Sequence, residues 1–184
     1  TPNALQFAPG GGIFVGDTAN SRVRRVSDVG QVPNPINRRS IGVNPVQGAG
    51  AVTGRPRTTV RDITLREPDL TPNGSDINAR DGEVDVTVSN ASGALRTARV
   101  SRGGFSATQP TSNISLVDLR LTDPLDGCRG TKATARTDGT RRTTRRLNVR
   151  VKGRYRTIGR YASAIARGTE WTIIDGCDRT VIRV

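Results

Sequence analysis

The residues of this chain best equipped for chemistry are its arginines. Arg141, Arg142, Arg145 and Arg146 crowd together, and Arg150, Lys152, Arg154, Arg156 and Arg160 follow closely. Along an extended strand side chains alternate, so Arg150, Lys152, Arg154 and Arg156 are expected on one side, opposite Val149, Val151 and Tyr155. Such a basic face would hold a polyanion: a wall polymer such as teichoic acid, an acidic glycan, or nucleic acid. The same pattern also describes a solvated loop that runs into a solvated strand face.

Other constellations are poorer. Asp81, Glu83 and Asp85 share one face of an alternating strand and could approach a calcium ion. Calcium needs six to eight oxygens, which a regular strand does not supply, so no metal site is expected. Asp17 and Asn20 suit a turn, where their side chains bond to nearby backbone. Tyr155, Tyr161 and Trp171 are candidates for an aromatic patch, with Trp171 reading as core. For catalysis the inventory is thin. The chain has no His, no Ser–His–Asp or Cys–His set, and no glycine-rich phosphate loop followed by Lys. The expectation is a protein that is not an enzyme and carries no cofactor.

The only two cysteines, Cys128 and Cys177, lie in the polar turn-like contexts Asp126-Gly127-Cys128-Arg129 and Asp175-Gly176-Cys177-Asp178. With no CxxC pair and no His, no zinc site is expected, and the readings are a disulfide or two free thiols. The disulfide reading implies an oxidising compartment, and closing that loop stabilises a fold by roughly 4 kcal/mol on the chain-entropy model.

These residues need a scaffold, and composition indicates which kind. Only 33% of the 184 residues are hydrophobic and 3% aromatic, while 21 Gly and 10 Pro favour turns and short strands. No helical period of apolar residues is found, and no run of about 20 apolar residues offers a membrane span. Of 29 basic residues only Lys132 and Lys152 are lysine, and the net charge is +13. That charge attracts acidic polymers in a salt-dependent way. The chain opens on Thr1 and contains no Met, so it reads as a processed chain or a piece of a longer one.

Three regions follow. Residues 1–27 form a β-hairpin, with strands around Ile13–Asp17 and Arg22–Val26. Residues 28–57 read as a Pro/Gly-rich linker, because Pro33, Pro35, Pro45, Gly42, Gly48, Gly50 and Gly54 break every period. Residues 58–184 read as an antiparallel β-sandwich or roll. Val84, Val86 and Val88 alternate with Glu83, Asp85 and Thr87, and 94–100 is the hairpin partner across Asn90-Ala91-Ser92-Gly93. Further strands are expected at 115–121, 147–151, 163–171 and 180–184.

Two stretches resemble known families. Phe14-Val15, then Asp17-Thr18, Asn20, Arg22-Val23-Arg24 and Val26, resemble one NHL repeat, the blade unit of a β-propeller. This implies a terminal blade fragment. The run from Pro72-Asn73-Gly74-Ser75 to Gly82-Glu83-Val84 resembles the FecR-like β-module of bacterial surface proteins. Gly103-Gly104-Phe105, Gly153-Arg154-Tyr155 and Arg167-Gly168-Thr169-Glu170-Trp171 carry the likeness further. The resemblance implies an all-β fold at the cell surface, and a C-terminal strand that is cut short. It carries no signalling role, since nothing matches the relay apparatus of FecR proper. The expected function is a non-catalytic, secreted or cell-surface binding or structural module. Its partner would be an anionic cell-wall polymer or another surface protein. The alternatives are an Arg-rich nucleic-acid-binding protein, a self-assembling coat or filament subunit, and a hydrolase.

Overall fold

The computed structural model describes residues 4–7, 13–17, 22–26, 40–90, 92–110, 116–128, 142–167 and 169–184; up to 26, and at 152, 166 and 167, it describes the backbone alone. The chain divides into two compact units, Thr1–Gln31 and Val32–Val184. All regular structure among the described residues is β.

The first unit is an antiparallel sheet in the order β1 (Ala4–Phe7), β2 (Ile13–Asp17), β3 (Arg22–Val26). The expected hairpin is β2–β3, and the short β1 adds a third strand, with Leu5 opposite Val15. A lone two-stranded ribbon is marginal in water, and a third strand is what such a ribbon needs.

The second unit is one sheet of twelve strands folded over on itself. Its spine is a hairpin of two 14-residue strands, β8 (Asp76–Ser89) and β9 (Leu95–Thr108). At the turn the Asn90 side-chain oxygen accepts hydrogen bonds from the backbone N–H of Ser92 (3.0 Å) and Ala94 (2.8 Å). Halfway along, the register shifts between Ala79 and Glu83, so that residues 80–82 bulge opposite Arg102. Bulges bend and twist a ribbon, and this one folds the hairpin in two.

Each half of the hairpin then collects its own partners. The half containing Asp76–Ala79 and Gly103–Thr108 pairs with β5 (Val52–Arg55) on one side and β10 (Val117–Leu121) on the other. Beyond these lie β6 (Ile63–Leu65), and β12 (Arg154–Ile158) followed by β13 (Ser163–Arg167), with β10–β12 parallel. The other half pairs with β4 (Ser40–Pro45) and β11 (Arg145–Lys152), extended by β7 (Asp69–Pro72) and by β14 (Glu170–Asp175) with β15 (Thr180–Arg183).

The two layers enclose one core. Val84, Val86, Val100, Leu147, Val149, Trp171 and Ile173 come from one layer, and Ile77, Phe105, Leu119 and Tyr155 from the other. Two buried polar atoms tie the layers together. The Trp171 indole N–H donates to Thr157 Oγ1 (3.0 Å), and the Tyr155 hydroxyl donates to the carbonyl of Arg96 (3.0 Å). Buried Tyr and Trp keep such partners because an unpaired polar group inside a core is costly.

Three sequence expectations change. The linker 28–57 gives way from Ser40 onward to β4 and β5, which pair with β8; residues 28–39 lie outside the described residues. Ile41, Val43 and Val52 are fully buried, and pairing with a distant strand organises them in spite of Gly42, Pro45 and Gly54. The strand expected over 163–171 is two, β13 and β14, which belong to different layers. The continuous strand implied for Arg150 to Arg156 breaks at Gly153, whose φ of +140° redirects the chain from one layer to the other.

Candidate functional site

Among the described residues, Asp123 and Asp175 are the most enclosed ionic side chains, 4% and 0% exposed. Asp123 follows β10. Its Oδ1 accepts from Arg80 Nε (3.0 Å) and Nη2, and its Oδ2 accepts from the Gly104 backbone N–H (2.9 Å). A Cβ at Gly104 would sit 2.6 Å from Asp123 Oδ1, so the carboxylate can approach only because residue 104 is glycine. The Asp123 carbonyl accepts from Arg145 Nη1 (2.8 Å), and Arg145 Nε donates to Asp175 Oδ2 (2.9 Å). Asp175 also accepts from Arg160 N and Thr180 Oγ1. Arg80, Asp123, Arg145 and Asp175 therefore form one chain of charge-assisted hydrogen bonds that crosses from layer to layer.

Beside this chain lies the disulfide Cys128–Cys177, with an S–S distance of 2.06 Å and a Cα separation of 5.3 Å. Of the two sequence alternatives, the bond is the one formed. Asp126, almost fully buried, accepts the Arg142 N–H (2.8 Å), and Gly127 N–H donates to the Arg142 carbonyl (2.8 Å). Tyr161 donates its hydroxyl proton to the Cys177 carbonyl, while Arg160 stacks over the Tyr161 ring at 5.3 Å.

The arginines expected to share a basic face are dispersed. Arg141 lies outside the described residues, as does the side chain of Lys152. Arg142 is held through its backbone and Arg145 is interior, while Arg146 and Arg150 are exposed on β11. Arg154 and Arg156 lie on β12, in the other layer. Arg150 is paired with Glu170 (2.9 Å), and Arg156 grips both oxygens of Asp118. That grip raises the Arg156 pKa, chiefly through the hydrogen bond. Among the acidic residues considered for calcium, Asp81 falls in the bulge. Asp85 is held bidentately by Arg99 at 2.8 and 2.9 Å, with Glu83 3.5 Å away. Trp171 and Tyr155 are core, and Tyr161 is exposed.

The bend of the β8–β9 hairpin makes a concavity of about 400 Å3 that sequence reading missed. Asp85, Arg99, Arg150 and Glu170 stand in one row across β8, β9, β11 and β14. Beside that row run Glu83, Ser101 and Asn148, and the bulge supplies Arg80, Asp81 and Arg102 as a wall. The lining is mostly polar, with guanidinium, carboxylate, amide and hydroxyl groups, and Ala49, Gly82 and Val149 complete it. Arg102 is exposed and has a φ of 68°, the one positive value among the described non-glycine residues. Behind it Gly103 passes so close to β11 that a Cβ would lie 2.0 Å from the Arg146 carbonyl oxygen. Asp81-Gly82, a dipeptide common in turns, is the sequence trace of the bulge, but nothing local announces its partner Arg102. No helix among the described residues is long and apolar enough to cross a membrane. No protein-family model, curated protein or solved structure matches the chain.

Proposed function

We propose that this chain is a non-catalytic, exported module of a cell-surface protein, which presents rigid polar faces to an extracellular partner. The observation that carries this reading is the full engagement of two enclosed carboxylates, Asp123 and Asp175. Asp123 and Asp175 each accept from an arginine and a backbone N–H, and Thr180 adds a further bond to Asp175. A general acid or base needs reach to a substrate and a proton-transfer position left open. These carboxylates instead join elements of the scaffold. The Cys128–Cys177 bond supports residence in an oxidising compartment. The resemblance to a FecR-like surface module and an NHL blade points the same way. An anionic wall polymer or a neighbouring surface protein is the partner class.

The test is peptide mapping of the exported protein, after alkylation, with and without reductant. The expected result is a linked Cys128–Cys177 peptide, with reduction lowering the unfolding free energy by roughly 4 kcal/mol. Two alkylated thiols in protein recovered from the cytosol would overturn the reading and bring nucleic acid forward as the partner.

A further inference from the structure

We propose that the concavity at the bend of the β8–β9 hairpin binds an acidic polysaccharide, with Arg102 receiving a sugar carboxylate. This goes beyond the exported-module reading, and purified protein tests it whatever compartment the chain occupies.

The first argument is Arg102 itself. Its φ of 68° lies in the left-handed region, where a Cβ crowds the following carbonyl. Glycine would take this backbone without strain, and the chain places glycine at the next two positions. At 102 it instead carries a long cation directed to the wall of the concavity. The second argument is availability. Arg99 is held by Asp85, Arg150 by Glu170 and Arg80 by Asp123, whereas Arg102 has no carboxylate partner among the described residues. Its planar fork therefore remains open to an outside carboxylate.

The rest of the lining selects the kind of anion. Ser101 and Asn148 offer hydroxyl and amide groups, and Asp81, Glu83 and Glu170 offer acceptors for sugar hydroxyl protons. No aromatic ring lines the site for a base to stack on, and the planar fork of Arg102 matches a flat carboxylate in two parallel hydrogen bonds. A hydroxyl-rich chain that bears carboxylates meets both conditions. The volume of about 400 Å3 lies within the range of small-ligand sites.

The experiment compares polygalacturonate with neutral dextran at physiological ionic strength, by calorimetric titration. The proteins are the unaltered chain, Arg102→Gly, and Arg61→Gln, which removes one exposed charge outside the concavity. Arg102→Gly is expected to melt at a higher temperature and yet bind polygalacturonate roughly tenfold more weakly. Arg61→Gln is expected to stay within about twofold of the unaltered chain. Dextran is expected to bind more weakly than polygalacturonate throughout. The proposal fails if the unaltered chain does not bind polygalacturonate, if Arg102→Gly binds as well as it does, or if Arg61→Gln loses as much. It fails too if Arg102→Gly melts lower, because the strain argument then has no basis.

Discussion

Arg145–Asp175 and Arg150–Glu170 sit near opposite ends of one ladder, each pairing β11 directly with β14. Their chemistry is the same and their surroundings are opposite. The side chains of the first pair are 15% and 0% exposed, those of the second 66% and 57%. Strand parity decides this, because residue 145 falls on the same side as Leu147 and Val149, and residue 150 on the other. Water screens the outer pair, which must also give up side-chain freedom to form, so it contributes little. The inner pair has lost most of its hydration and relies on Arg160 N, Thr180 Oγ1 and the Asp123 carbonyl to complete its bonding. Arginine count is therefore a poor guide to either stability or binding here. What matters is which side of a strand each arginine occupies.

The largest break in this comparison is Asp175→Ala. It strands Arg145 in the interior and removes the acceptor of two further donors, so a loss of about 3–5 kcal/mol is expected in urea unfolding. A loss below about 1 kcal/mol would show that water reaches Arg145 and that the inner pair behaves like the outer one. Tyr155→Phe sharpens the view of buried polar groups without charge. Removing its hydroxyl should lower stability by about 1 kcal/mol at neutral pH. Burial raises the Tyr155 phenol pKa above its ordinary value. A raised folded pKa means that the folded state favours the neutral phenol. The stability this gives is complete below the unfolded value of about 10 and is lost as pH climbs above it. The gap between Tyr155→Phe and the unaltered protein should accordingly close above that pH in an alkaline melting series. The smallest effect belongs to Glu170→Gln on the outer face, within about 0.5 kcal/mol and shrinking further in high salt.

The parts of this fold legible in the sequence are those governed by local alternation. Val84, Val86 and Val88 announce β8, and the Asn90-Ala91-Ser92-Gly93 run announces its turn. β4 and β5 were hidden because Gly42, Pro45 and Gly54 interrupt short apolar runs whose burial comes from pairing with β8 far along the chain. Asp175 stands in a turn-like context in the sequence, and Asp123 carries no local signal. Their enclosure arises only when Arg80 and Arg145 arrive from distant strands. The basic stripe failed for a related reason, since one residue, Gly153, moves Arg154 and Arg156 to the other layer. The concavity was the least legible feature, because its wall needs a bulge on β8 to meet a left-handed arginine on β9.

The disulfide also has a mechanical meaning. Cys128 and Cys177 are 49 residues apart, and β11 to β14 all lie between them. If the chain were pulled from its two ends, tension would pass through the S–S bond and leave that loop unloaded. Roughly 170 Å of contour length, at about 3.5 Å per residue, is thereby withheld from extension. The bond therefore limits how far this unit can lengthen under force.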